Sequence, residues 1–191
     1  TRARKTRTKS MNAFSSIDYP DVALIRDGRI LHYILQGKPP MPPVFHDKLD
    51  ANVFVLRLIP GMNPDVLRPL ANRFDALVIE SFGVGGLPCY EQADFLSAAS
   101  AWSSAGKPIV ITTQVPHEGS DLAVYQVGAR VAAQPGILQA YTMTAEAVVT
   151  KLMWILPQTR DLAQIKRLFY TPIACDLLLF EEHGQHTDES N

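Results

Sequence analysis

Asp75-Ala-Leu-Val-Ile-Glu-Ser-Phe-Gly-Val-Gly-Gly-Leu-Pro88 is the stretch on which the reading of the whole chain turns. Ala76 to Ile79 is a short apolar run rich in branched residues, the pattern of a strand buried on both faces. Glu80 puts a charge at its carboxyl end. Gly83, Gly85 and Gly86 follow, in a loop that accepts positive φ and close backbone approach. Ligands of open α/β sheets gather outside the carboxyl ends of the strands, which makes this loop a site candidate. Its glycines lack the spacing of a dinucleotide fingerprint, so a plain tight turn fits them equally well.

Outward from this strand the pattern alternates between strand and helix. Asn52 to Ile59 is a strand candidate ended by Pro60-Gly61, and Asn63 before Pro64 and Asp65 is a helix start. Val66, Leu67 and Leu70 give that helix its apolar face. Downstream, a helix is expected from about Glu91 to Ser104, stopped at Gly106, then a buried strand from Ile109 to Thr112. A helix from about Leu122 to Ala132 and a short strand from Leu138 to Tyr141 come next. Thr144 caps a helix with Ala147, Val148, Leu152 and Ile155 on its apolar side, ended near Pro157. Asp161 to Gln164 has capping-box spacing for one more, with Ile165, Leu168 and Phe169 inward. Such alternation implies right-handed crossovers and a Rossmann-like α/β fold, a parallel sheet of about four strands with helices on both faces. Upstream, Arg26-Asp-Gly-Arg29 is the turn of a hairpin. The run Gly37-Lys-Pro-Pro-Met-Pro-Pro43 is a stiff connector at the domain boundary.

The 191 residues carry 47% hydrophobic side chains, enough for a real core, and a net charge of −1. That balance gives no reason to expect nucleic acid or an anionic membrane as partner. Two distant cysteines, Cys89 and Cys175, make neither a disulfide framework nor a metal spacing and fit a reducing compartment. No apolar run is long enough to span a bilayer. Beginning at Thr1 without an apolar signal region, the chain reads as a piece of a longer protein.

Individual residues offer little chemistry. His117, with Glu118 and Asp121, lacks a second His or Cys at ligand spacing and reads as a solvated loop. Trp102 and Trp154 sit on amphipathic helices and read as core, as does Tyr125, while His183 and His186 belong to a polar tail. Arg2, Arg4, Lys5, Arg7 and Lys9 form a basic extended segment without the aromatics that would stack on bases. No nucleophile with its base, Walker loop or carboxylate pair is visible.

Glu80-Ser-Phe-Gly-Val-Gly-Gly-Leu-Pro88, Gly106-Lys-Pro-Ile-Val-Ile-Thr-Thr-Gln114, Thr142-Met-Thr-Ala-Glu-Ala147 and Thr150-Lys-Leu-Met-Trp154 resemble, in order and spacing, the carboxyl-terminal domain of bacterial cytosolic (type I) L-asparaginases. The resemblance runs from about Arg2 to about Phe169. It implies a remnant of the amino-terminal domain with the hairpin at 1–36, the linker at 37–50, the α/β domain at 51–180 and a polar tail at 181–191. It also implies an amidohydrolase whose threonine nucleophile lies in an amino-terminal domain before Thr1, so that this piece alone is inactive. Arg2-Ala-Arg-Lys5, followed by Phe14 and Tyr19-Pro20, matches the family segment that carries the catalytic lysine, here Lys5. The same register puts the family's effector pocket at Arg4, Glu80, Gly86 and Val115, where typical members carry Thr, Arg, Asn and Cys. The apparent exchange of charge leads to the expectation that Arg4 and Glu80 pair and fill that pocket. The family further implies no cofactor or metal, asparagine as substrate, a homo-oligomer (dimer or tetramer), cytoplasmic location, and neither nucleic acid nor membrane as partner. Two other readings stay open: the asparaginase-like subunit of a tRNA-dependent amidotransferase, and a non-catalytic oligomerisation module.

Overall fold

The computed structural model describes residues 2–35, 37, 42–90, 93–124 and 135–178. The first thirty-odd residues form two antiparallel hairpins. β1 (Ala3–Lys5) pairs with β2 (Phe14–Ser16), and β3 (Ala23–Arg26) pairs with β4 (Arg29–His32). At the second turn Asp27 and Gly28 take φ of 51° and 72°, the left-handed pair that lets two residues reverse a twisted ribbon. The basic segment is therefore one arm of a hairpin. The Pro-rich connector falls largely outside the described residues, as do the tail and most of the helix expected at 122–132, of which a single turn, Leu122–Val124, is described.

The α/β unit begins at β5 (Val53–Arg57), followed by a 3-10 turn over Pro64–Val66 and α1 (Leu67–Ala71). Asn63 accepts from the Asp65 amide at 2.9 Å, as its capping position requires. β6 (Ala76–Ser81) is the central strand, and all six of its residues are buried. A small ladder of β7 (Cys89–Tyr90) with β8 (Ala93–Asp94) precedes α2 (Phe95–Ser104). That helix starts four residues later than expected from the sequence, because Asp94 caps it by accepting from the Ser97 amide at 3.0 Å. β9 (Ile109–Thr113), β10 (Ile137–Gln139), α3 (Ala145–Ile155) and α4 (Leu162–Phe169) complete the unit. The Thr144 and Asp161 side chains cap α3 and α4, as read from the sequence.

β10, β9, β6 and β5 lie side by side in that order, all parallel. Leu77, Ile79, Ile109 and Ile111 face α1 and α2 through Leu67, Phe95, Ala99 and Trp102. Ala76, Val78, Val110 and Leu138 face α3 and α4 through Val148, Leu152, Ile155, Ile165 and Phe169. The period of two thus splits the central strands between two cores. Each large side chain fully buried there contributes about 1.5–3 kcal/mol. The buried polar tips are satisfied: the Trp102 indole donates to the Leu67 carbonyl at 2.9 Å. The Tyr170 hydroxyl accepts from the Gln139 amide at 2.9 Å, and burial pushes its pKa up to about 12.

Candidate functional site

The loops after β9 and β10 emerge at the carboxyl edge of the sheet, where an α/β fold places its chemistry. Arg2 fastens the first hairpin to them. Its side chain is buried; Nε donates to the Cys175 carbonyl at 3.0 Å, and Nη1 to the Ile17 and Thr142 carbonyls at 3.2 and 3.1 Å. Nη2 donates to Thr142 Oγ1 at 2.6 Å. Burial lowers the guanidinium pKa from its ordinary value, and the carboxylates of Asp18 and Asp176 oppose that shift. A second fastening joins Asp18 to the loop after β9. The Glu118 amide donates to Oδ2 at 2.8 Å, and Oδ1 is 3.1 Å from His117 Nδ1. His117 is thereby a staple between segments; among the described residues no group of three or more His, Cys, Asp or Glu could hold a metal.

Lys5 stands at the end of β1, opposite Phe14, on an ordered strand with its side chain exposed. Of the four positions expected to line an effector pocket, Arg4 and Val115 share a crevice with Thr112, Thr142 and Thr144. That crevice holds about 10 Å³, which leaves room for at most about one water. Gly86 lines a separate open cleft with Pro60, Phe82 and Leu87. The expected Arg4–Glu80 pair does not form. Glu80 lies in register with Arg57 on β5, and that neighbouring strand supplies its cation at 3.8 Å. Arg4 reaches over the amino end of α3, where Glu146 occupies the first turn, and Arg4 Nε meets Glu146 Oε1 at 3.1 Å. The exchange of charge along the sequence carried no information about distance.

The glycine loop also resolves into one of its two readings. The amides of Gly85 and Gly86 both donate to the Phe82 carbonyl, at 3.0 and 2.7 Å, and the Phe82 amide returns a bond to Gly86 at 3.2 Å. Gly85, at φ 134°, packs on Leu122 so closely that a Cβ would lie 2.8 Å from Leu122 Cδ2. Gly85 and Gly86 thus spend their amides inside a closed turn, which favours the plain-turn reading. Tyr125, His183 and His186 lie outside the described residues, and Trp102 is core as expected.

Sequence reasoning missed a buried ion pair. Lys151 Nζ on α3 donates to Asp176 Oδ2 at 2.8 Å and to the Thr171 carbonyl at 2.8 Å, and Asp176 Oδ1 accepts from the Ile173 amide at 2.7 Å. Both side chains are at least nine-tenths buried, at 3% and 6% exposure. They form the floor of a cleft of about 490 Å³ walled by Ala3, Ala147, Trp154 and Ile173. The pair lies 25 residues apart in sequence, with no motif to announce it.

A four-stranded parallel sheet with this hairpin fixed to its carboxyl edge can be compared with known proteins. The family model of the glutaminase/asparaginase C-terminal domain matches residues 52–169. This chain belongs to that family. Among curated relatives of this asparaginase-type domain, the L-asparaginase of Thermococcus kodakarensis is 41% identical over 180 residues, 93% of this chain and 53% of the relative. A glutamyl-tRNA(Gln) amidotransferase chain from Pyrococcus furiosus is 28% identical over 93% of this chain and 40% of its own length. Among solved structures, the thermostable L-asparaginase from Thermococcus kodakarensis superposes with a TM-score of 0.88 at 38% identity, covering 94% of this chain and 54% of that one. The chain spans about half the length of the curated relatives it matches. Among its described residues no helix is long and apolar enough to cross a membrane.

Proposed function

We propose that the full-length protein is an L-asparaginase that hydrolyses asparagine to aspartate and ammonia. The observation that carries this reading is 41% identity to an L-asparaginase across 93% of the chain. The 28% identity to the glutamyl-tRNA(Gln) amidotransferase is the weaker likeness. In the proposed reaction a threonine hydroxyl of the amino-terminal half attacks the side-chain amide carbonyl. Ammonia leaves, and water hydrolyses the resulting ester to free aspartate and threonine. Lys5, beside a threonine–aspartate pair, accepts the hydroxyl proton of the nucleophile and returns it to the departing nitrogen, which leaves as ammonia. An amine in water stays protonated at neutral pH, so a lysine serves as base only where burial favours its neutral form. The exposed Lys5 of this chain therefore needs the amino-terminal half to cover it. No cofactor or metal enters the scheme.

The proposal extends to a cytoplasmic homo-oligomer, the division of the chain at 36, 50 and 180, and the loss of effector control through Arg4, Glu80, Gly86 and Val115. Support for the loss comes from the neutralisation of Glu80 by Arg57 and of Arg4 by Glu146, and from the small crevice beside Arg4 and Val115. Ammonia release tests the whole. The full-length protein is expected to hydrolyse asparagine with hyperbolic kinetics, and residues 1–191 alone to release nothing above background. Sigmoidal kinetics would remove the regulatory part; activity of residues 1–191, abolished by a substitution within them, would remove the assignment of the nucleophile.

A further inference from the structure

The bonds of Arg2 fix the root of the strand that carries Lys5. β1 is three residues long, Ala3–Lys5, and Arg2 comes immediately before it. The Arg2 carbonyl still pairs across the hairpin, accepting from the Ile17 amide at 3.1 Å. Its guanidinium donates to the Cys175, Ile17 and Thr142 carbonyls and to Thr142 Oγ1. Four of the five donors of a rigid planar fork are thus engaged. A fork held at several points fixes direction as well as distance. At about 3.3 Å per residue the Lys5 Cα stands about 10 Å along the strand from that of Arg2. A tilt of the strand by about 6° about its root then displaces it by about 1 Å, and a misplacement of that size can cost about a hundredfold in rate.

The seat of the fork is itself held. Lys151 Nζ grips both ends of the segment 171–176, donating to the Thr171 carbonyl and to Asp176 Oδ2, each at 2.8 Å. Ala174 and Cys175 stand in the left-handed region, at φ 49° and 58°, which residues with a Cβ keep only where their surroundings enforce it. The buried pair clamps that shape, and the Cys175 carbonyl is thereby aimed at Arg2 Nε. Tyr19 adds a bond, its hydroxyl donating to Cys175 Sγ at 3.4 Å. Arg4, between Arg2 and Lys5, meets Glu146 in a part-exposed pair, a kind that stabilises little. The Asp18 fastening lies beyond β2 and acts on β1 only through it. An amino-terminal half can add contacts around Lys5, but the partners of Arg2 all lie in this chain.

We propose that Arg2 is a positioning residue for Lys5: seated on the segment that the Lys151–Asp176 pair clamps, it sets the place and direction from which the Lys5 amine reaches the nucleophile's hydroxyl. This rests on the role given to Lys5 above. The Arg2 guanidinium is taken up by its own bonds and has no part in the proton transfer. The test is a double-mutant cycle in the full-length protein, Arg2→Lys against Lys5→Ala. For each variant kcat and KM for asparagine are measured well below its melting temperature, which is recorded alongside. A lysine keeps the charge but not the fork. Arg2→Lys is expected to lower kcat by about 10- to 100-fold with KM nearly unchanged, and to cost little further where Lys5 is already alanine. A contact that only stabilises the fold would lower the melting temperature and leave kcat of the folded protein unchanged, or lower it equally in both backgrounds. Either result overturns the proposal. Should Arg2→Lys fail to fold, Thr142→Val, which removes one acceptor of the fork, takes its place. A loss of kcat confined to the protein that keeps Lys5 supports the proposal, and no loss or an equal loss in both backgrounds overturns it. A parent without asparagine hydrolysis, or parent-like turnover by Lys5→Ala, removes the catalytic reading and the positioning role with it. A crippled Lys5→Ala beside a parent-like or additive Arg2→Lys removes the positioning role alone.

Discussion

Lys5→Ala in the full-length protein is expected to lower kcat for asparagine by about two to four orders of magnitude, the range over which a positioned proton-transfer group acts. Arg2, not Lys5, fastens the hairpin to the sheet edge, so the fold should survive the change. The melting temperature and far-ultraviolet dichroism of the variant should match the parent. KM should move little by comparison, because the proposed role is in proton transfer and not in holding the substrate. Lys9→Ala, on the solvated turn of the same hairpin, serves as the control and should turn over normally. Parent-like turnover by Lys5→Ala would end the assignment of a catalytic lysine to this residue.

The largest effect on stability is expected at Lys151. Lys151→Met keeps the length of the side chain but strands the Asp176 carboxylate, of which only 6% is exposed. Breaking a buried pair from one side costs about 3–5 kcal/mol. Urea unfolding of residues 1–191 should show the loss in the midpoint with little change in slope. Adding Asp176→Asn should recover part of it, since the amide can still accept from the Ile173 amide while no charge is left unpaired. A loss below about 1 kcal/mol in the single variant would mean that water reaches the pair and that the described burial is wrong.

These two residues also mark the limits of the sequence. Ala76 to Ile79 could be placed because a strand buried on both faces needs an unbroken apolar run, and the caps Asn63, Thr144 and Asp161 could be placed because their bonds lie within three residues. The Asp27-Gly28 turn was legible for the same local reason. The Asp94 cap was passed over because the expected start at Glu91 took no account of the β7–β8 ladder. Arg4 and Glu80 were paired on a family register that names positions but not distances, and their partners Glu146 and Arg57 are set by which segments fold together. The Lys151–Asp176 pair and the four bonds of Arg2 join segments between which no period or spacing runs. Such contacts are decided by topology, and composition leaves no trace of them.

The bond from Arg2 to the Cys175 carbonyl closes a loop of 173 residues through one guanidinium. The entropy of closing a loop grows with the logarithm of its length, and this contact is therefore expected to form late in folding, which a folding rate unchanged in Arg2→Ala would check. A contact absent from the transition state leaves the folding rate alone and sets the rate of escape from the native basin. On that expectation Arg2 is a latch in time as well as in space. Without it the domain would assemble as fast as before but stay assembled for less long, and its lifetime against proteolysis when cleavage outpaces reclosing would shorten in proportion.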